Sequence, residues 1–76
     1  MITECRLDSL GPGNCFMFNR QPYIVLGTDW EDLGLFKKKV FICRGKFAVF
    51  DSYFSPDTDI YRISKNLYDA LVRNED

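Results

Sequence analysis

The side chains that most often carry chemistry are scarce in this sequence. It holds three cysteines, Cys5, Cys15 and Cys43, and no histidine. A cysteine nucleophile needs a base, and without histidine only carboxylates and amines remain to act as one. The cysteines are odd in number, widely spaced and without a Cys-x-x-Cys pair, which is not the pattern of a disulfide framework. We therefore expect a protein that is not an enzyme, with no catalytic residue and no cofactor.

The same residue content limits which ligand sites are possible. Zinc would accept three thiols together with an acidic fourth ligand. However, Cys15 and Cys43 lie in apolar stretches that predict strands, which favours buried, reduced thiols over a metal site. The chain has no Gly-x-Gly-x-x-Gly and no P-loop, and Gly11-Pro12-Gly13 is typical of a tight turn rather than a phosphate cradle. We expect no metal.

Composition points to one small domain spanning residues 1–76. The chain is 46% apolar and 16% aromatic, which is enough for a core at this length. Ten basic and eleven acidic side chains give a net charge of −1, without the positive excess of a dedicated duplex-binding module. No apolar run approaches the roughly 18 residues of a membrane helix, and residues 1–8 contain no apolar h-region, so we expect no secretory signal. We expect a cytoplasmic protein, in the host cell if it is viral, with no membrane partner.

The first half of the chain predicts a β-hairpin. A Gly-Pro-Gly turn precedes an apolar strand over 15–18, a polar turn over 19–22 and a second strand over 23–26. Residues 1–9 form an N-terminal arm in which Ile2 and Leu7 dock on the domain, with a short edge strand as one interpretation.

Residues 27–39 lack any period of two and contain two glycines, which predicts a long loop with one helical turn at 30–33. In one interpretation Trp30, Leu33 and Phe36 form an exposed anchor for a partner protein, oriented by Asp29 and Glu31. In the other, these aromatic and apolar side chains fold back and plug the open end of a barrel.

A second hairpin is predicted from strands over 40–44 and 47–52, joined by a type II′ turn at Gly45-Lys46. Both strands are apolar on both faces, so we expect the second face to be covered by a helix, by the Trp30 loop or by a second subunit in a homodimer. This hairpin gathers five basic residues that are candidates for a phosphate, nucleotide or nucleic-acid site. They are Lys37, Lys38, Lys39, Arg44 and Lys46. The alternative interpretation is a solvated lysine run that protects an edge strand.

The C-terminal third permits two interpretations. Ser55 caps a single long helix, or residues 59–63 form a fifth strand and Ser64 caps a short helix over 64–73. Strand then helix is favoured, because a fifth strand lets a small barrel close over residues 10–63. The predicted fold is mainly β, a five-stranded SH3-like barrel with a short C-terminal helix.

The order of these motifs resembles a known family. Leu10-Gly-Pro-Gly, Tyr23-Ile-Val-Leu-Gly, Val40-Phe-Ile-Cys, Gly45 and Pro56-Asp-Thr-Asp-Ile60 follow one another along residues 10–63. The arrangement resembles the small SH3-like β-barrel accessory proteins of tailed bacteriophages, from which the long Trp30 segment and the C-terminal helix depart. The resemblance implies a viral protein that binds and inhibits or modulates a host protein. A binder of a nucleotide or nucleic acid and a self-assembling structural protein remain the alternative hypotheses.

Overall fold

A computed structural model describes residues 3–46 and 49–73 of the chain. Its strands are β1 (Thr3–Arg6), β2 (Cys15–Phe18), β3 (Gln21–Asp32), β4 (Lys37–Gly45), β5 (Ser52–Phe54) and β6 (Asp59–Ile63). A single turn of 3₁₀ helix (Leu7–Ser9) follows β1, and helix α1 (Lys65–Arg73) follows β6.

The strands form one antiparallel sheet of six strands in the order β1-β6-β2-β3-β4-β5. The mainly β class and the C-terminal helix are confirmed, but the prediction of five strands is wrong. The sixth strand is β1, part of the predicted N-terminal arm, which pairs with β6 at one edge of the sheet. β5 forms the other edge, and no pairing between β1 and β5 closes the sheet into a barrel within the described residues.

Adjacent residues such as Cys15 and Phe16 are both buried, so each face of the sheet is covered in part. The larger cluster of buried side chains forms the main core. Its fully buried members include Leu7, Phe16, Val25, Cys43 and Ile60, each at most 1% exposed. Leu7 comes from the 3₁₀ turn, where its N–H donates to the carbonyl of Thr58 at 2.9 Å. The predicted docking of Leu7 is therefore confirmed, whereas Ile2 lies outside the described residues.

Four aromatic rings extend this core. Tyr23 stacks on Phe16 with ring centroids 5.3 Å apart, and Phe54 meets Phe16, Phe18 and Tyr23 edge-on at 5.2–5.8 Å. Offset stacking and edge-to-face contacts are the favoured geometries of aromatic pairs. The cluster fixes β5 to the β2–β3 hairpin.

The first hairpin turn lies where the sequence predicts it, but it has two residues instead of the predicted four, and β3 begins at Gln21 rather than at residue 23. β2 ends at Phe18 opposite Gln21, so Asn19 and Arg20 form a two-residue turn with φ of 52° and 65°. Positive φ at both central residues is the geometry that matches the twist of a tight hairpin. The Gly-Pro-Gly turn is also present, with Gly13 at φ 89°.

The prediction of a loop over residues 27–39 is wrong. β3 continues to Asp32 and β4 begins at Lys37, so this segment is the distal half of a long hairpin, without a helical turn at 30–33. Residues 28–39 are all exposed. Apolar alternation arises from burial of one face, so a ribbon in water on both faces does not display it.

The second predicted hairpin is also corrected. β4 runs through Gly45, and the described residues 49–51 lie before β5 rather than in a strand, while Phe47 and Ala48 lie outside the described residues. Val49 and Phe50 are exposed instead of covered. The prediction of two covered faces holds for the middle of β4, where Val40, Phe41 and Cys43 are buried.

At the C-terminus, strand then helix is confirmed. β6 pairs with both β1 and β2, and the Ser64 hydroxyl accepts the N–H of Leu67 at 3.0 Å as an N-cap. α1 contacts β2 and β3, but none of its side chains is fully buried.

Candidate functional site

The distal part of the β3–β4 hairpin, residues 28–39, is here named the arm, and the other described residues form the body. Leu26 is an extra residue in the ladder, because Val25 pairs with Cys43 and Gly27 with Ile42. Such a bulge increases the local twist of a strand and redirects it. Beyond the bulge the hairpin extends for about 17 Å at roughly 3.4 Å per residue. The arm contributes to an elongated molecule of 45 × 26 × 19 Å.

Cross-strand pairing places acidic residues of β3 opposite lysines of β4. Glu31 pairs with Lys38 and Asp32 with Lys37, while Trp30 pairs with Lys39. Opposite charges in directly facing positions stabilise an antiparallel pair by about 0.2–1 kcal/mol. The arm therefore forms without a core of its own through backbone pairing and its turn, and the facing opposite charges favour the same register.

The tip of the arm, residues 33–36, is a four-residue connection closed by local hydrogen bonds. The N–H of Leu33 donates to the carbonyl of Phe36 at 2.9 Å, and the Asp32 carboxylate accepts the N–H of Gly34 at 2.9 Å. Gly34 has φ 94°, a conformation that side chains with a Cβ rarely adopt. These contacts give the tip a defined shape.

That shape presents apolar side chains to solvent. Leu35 is 101% exposed, Phe36 63% and Trp30 62%. Apolar side chains exposed together on a projecting element mark interaction sites more often than the single exposed apolar residues of ordinary surfaces. Of the two interpretations of the Trp30 segment, the plug of a barrel is wrong, because these side chains are exposed, as the anchor interpretation requires.

All five residues of the predicted partner-binding set lie on the arm. Trp30, Leu33 and Phe36 lie on the arm with Asp29 and Glu31. Sequence reasoning missed Leu35, which is the most exposed of these apolar residues. Its position directly between Gly34 and Phe36 was a signal of an apolar turn.

The predicted basic group does not form one site. Lys37, Lys38 and Lys39 lie near the tip, whereas Arg44 lies near the opposite end of β4, roughly 20 Å from Lys38 along the strand. Arg44 bonds to the Asp51 carboxylate at 3.2 Å, and the Lys46 N–H donates to the carbonyl of Pro22 at 3.1 Å. No compact electropositive cradle results.

Two of the arm lysines, Lys38 and Lys39, also interact with other groups of the protein. Lys39 lies 5.7 Å from the centroid of the Phe41 ring. The pKa of Asp57 is lowered mainly by a hydrogen bond from Ser55, and the charges of Arg6 and Lys38 add to the effect. Lys38 thus lies within electrostatic range of the segment that follows β5.

The cysteines are free, and Cys15 and Cys43 are buried as predicted. Burial raises the pKa of Cys43 to about 12, and burial also raises the pKa of Cys15 against the opposing charge of Lys65. Both side chains are therefore neutral thiols at pH 7, which are poor nucleophiles and poor metal ligands. In the described ranges, no group of three potential metal ligands comes together.

Two shallow depressions lie on the body. One, of about 310 Å³, lies at the start of α1 beside Arg62 and Lys65, and the other, of about 520 Å³, lies beside Met17 and Tyr61. The arm and its tip line neither of them. The arm therefore remains the surface with the most distinctive chemistry.

Comparisons of the chain with protein-family models, with curated proteins and with solved structures found no match. Over residues 3–46 and 49–73, the only helix of more than one turn is α1, which is too short and too polar to cross a membrane.

Proposed function

We propose that this protein is a non-enzymatic binding protein whose arm docks onto a protein of a host cell and inhibits or modulates it. The observation that carries the proposal is the exposed apolar tip on a structured hairpin, with Leu35 and Phe36 in solvent and Trp30 behind them. Aromatic side chains are enriched among the residues that dominate binding energy at interfaces.

The pre-formed shape of the tip supports this use. The hydrogen bonds from Leu33 to Phe36 and from Gly34 to Asp32 hold the loop before any partner arrives. An ordered loop loses less conformational entropy on binding than a flexible one. Fully burying a leucine or phenylalanine side chain contributes about 1.5–3 kcal/mol, so Leu35 and Phe36 together contribute roughly 3–6 kcal/mol toward the cost of association.

The host protein and the cytoplasm of the host cell enter the proposal through the resemblance of residues 10–63 to phage accessory proteins. The same resemblance underlies the proposal that the six-stranded sheet is a variant of the SH3-like barrel. The arrangement of the lysines favours this protein partner over a nucleic acid, because two of them face carboxylates across the arm. A phosphate backbone is attracted by unopposed positive charge.

The test is affinity capture from bacterial lysate with the tagged protein, with and without nuclease, read by quantitative mass spectrometry. Leu35→Ser removes the most exposed apolar side chain of the tip, and Val49→Ser is the matched control, because Val49 is 89% exposed on the body. We expect a discrete, nuclease-resistant partner at near-stoichiometric yield, which Leu35→Ser weakens about tenfold or more and Val49→Ser leaves unchanged.

Addition of the wild-type protein to the captured partner should change that partner's activity in a titration that saturates at a fixed ratio, and the Leu35→Ser variant should not. A partner retained equally by both variants would contradict the tip as the anchor. Recovery of nuclease-sensitive material would favour the nucleic-acid hypothesis. Recovery of the bait alone, with mass that rises with concentration, would favour self-assembly.

A further inference from the structure

The outer edge of β3 is unpaired along the arm. On one side β3 pairs with β4 as far as Asp32, but on the other it pairs with β2 only through residues 21–24. Val25 then exchanges hydrogen bonds with the Gly-Pro-Gly turn, donating to the carbonyl of Asn14 at 2.9 Å and accepting the N–H of Gly13 at 2.8 Å. From residue 28 to residue 32 the outer edge has no strand beside it within the described residues.

One backbone amide of this edge is occupied by a neighbouring side chain. The N–H of Trp30 donates to Oδ1 of Asp29 at 2.8 Å. In an antiparallel ladder, alternate residues direct their N–H and C=O groups away from the partner strand. The Trp30 amide is therefore on the free side, and the Asp29 carboxylate satisfies it in the absence of another strand.

The charges on this edge select what can pair with it. Asp29, Glu31 and Asp32 lie on this edge, and within the described residues none of these carboxylates forms an ion pair with the lysines opposite on β4. The edge is therefore acidic. Two copies of the protein that joined this edge symmetrically would place carboxylate against carboxylate, and like charges directly opposite destabilise a strand pair. A second copy is therefore disfavoured as the strand that covers it.

The lysine strand of a second copy is an equally poor candidate. β5 pairs with β4 as far as Phe41, and the chain that follows Phe54 continues toward the arm. The charge of Lys38 helps to lower the pKa of Asp57 in that segment, so a carboxylate of the protein's own chain lies within electrostatic range of this lysine. The acidic edge of a second copy would have to compete with Asp57 and with Glu31, which faces Lys38 across the arm.

We propose that residues 28–32 of β3 form a docking edge for an extended basic segment of the partner protein, which adds to the sheet as a further strand. This inference rests on the proposed function and names the chemistry of the partner at the arm. Strand addition uses backbone hydrogen bonds for affinity and side chains for specificity. Lysine or arginine side chains on one face of the incoming strand would face Asp29 and Glu31, whereas its side chains on the other face would lie beside the Trp30 ring, because side chains alternate along a strand.

The hydrogen bond between Asp29 and the Trp30 N–H makes this edge selective for basic strands. An incoming cation draws the Asp29 carboxylate into an ion pair, and the Trp30 N–H is then available to a carbonyl of the new strand. A neutral or acidic strand offers no such ion pair, so the Asp29 carboxylate stays hydrogen-bonded to the Trp30 N–H. The edge therefore pairs with basic strands in preference to others.

The experiment uses the full chain and a short synthetic peptide that alternates lysine with valine and threonine. A glutamate version of the peptide tests charge, and a version with alternate backbone amides methylated tests strand pairing. Fluorescence anisotropy measures affinity, and amide chemical shifts locate the contact. We expect the lysine peptide alone to bind and to shift the amides of residues 28–32.

The variant Asp29→Asn/Glu31→Gln removes two charges from the edge, and its matched control, Glu4→Gln/Asp59→Asn, removes two exposed charges from β1 and β6. We expect the first to weaken the lysine peptide on the order of tenfold, at about 0.7 kcal/mol for each charge pair, and the control to leave it within roughly twofold. Leu35→Ser should bind the peptide normally.

Equal binding of the glutamate peptide, equal binding of the methylated peptide, or shifts outside residues 28–32 would each overturn the inference. Binding of the lysine peptide that weakens as protein concentration rises would show a second copy on the edge and would also overturn it. A tip variant that loses the host partner but keeps the peptide supports both proposals. Peptide binding without any arm-dependent host partner would refute the proposed function and leave the basic-strand preference standing.

Discussion

In the body, β3 and β4 bury the side chains of Val25, Phe41 and Cys43 in a core that excludes water. In the arm the same two strands carry Trp30 and three lysines into solvent on both faces. The body depends on burial, and the arm depends on backbone hydrogen bonds and on the register that sets opposite charges across from one another. One continuous hairpin thus includes both the buried part that sustains the fold and a part that is exposed on both faces.

The bulge at Leu26 is where the two regions meet. Its extra residue changes which side chains face the core, and from Thr28 onward no side chain of β3 is buried. Substitutions in the body should therefore change the free energy of unfolding, and substitutions in the arm should change binding instead.

The largest expected effect is the loss of a core ring. Phe16 is 0% exposed and contacts two other rings, so Phe16→Ala should lower the free energy of unfolding by about 3–5 kcal/mol. Phe36→Ala at the tip should change it by less than about 0.5 kcal/mol. Urea unfolding followed by far-UV circular dichroism measures both. Similar losses for the two variants would show that the tip belongs to the core.

Two glycines offer a second contrast. A Cβ at Gly45 would lie 2.8 Å from Cε2 of Tyr23, a ring held by Phe16 and Phe54, so Gly45→Ala should destabilise the protein by about 1–3 kcal/mol. Gly34 has open space around it but φ of 94°, so Gly34→Ala should cost about 1 kcal/mol of local strain at the tip. Thermal unfolding compares the two variants, and a larger loss of stability for Gly34→Ala than for Gly45→Ala would contradict the difference between body and arm.

The buried thiol of Cys43 makes the stability of the body dependent on pH. Its pKa rises from an ordinary value of 9.0 to about 12 on folding, so the unfolded chain loses the thiol proton first. The stabilisation is complete below pH 9 and is lost as the pH rises toward 12, by up to about 1.4 kcal/mol per pH unit.

The measurement is urea unfolding of the wild type and of Cys43→Ala between pH 8 and the highest pH at which unfolding stays reversible. The wild type should lose stability more steeply, and the difference between the two slopes isolates the thiol from other titrating groups. Parallel curves would mean that Cys43 is not buried in solution.

The smallest expected effect is the coupling between Glu31 and Lys38 across the arm. A double-mutant cycle with Glu31→Gln and Lys38→Gln should give about 0.2–1 kcal/mol, and it should shrink in high salt because both residues are exposed. Amide hydrogen exchange of the arm reports the local stability. A coupling above this range would indicate that the arm makes contacts that its exposure does not suggest.

The amino-acid sequence alone was enough to predict the elements whose signals are local. Gly11-Pro12-Gly13 predicted its turn, the apolar stretch over 15–18 predicted β2 with the bounds observed, and Ser64 predicted the start of α1. The buried state of Cys15 and Cys43 followed from their place in apolar strands. Each of these depends on the conformational preference of a few neighbouring residues.

The arm and the last hairpin required the tertiary structure. The mixed polar and apolar residues of 27–39, with their two glycines, are compatible with a loop or with a ribbon exposed on both faces. Which of these forms depends on the pairing between β3 and β4. Val49 and Phe50 are apolar, yet they lie in solvent because β4 ends at Gly45 and the sheet resumes only at Ser52. Local preference determined turns and short strands, and pairing between distant residues decided which apolar side chains form the core and which are left exposed on the arm.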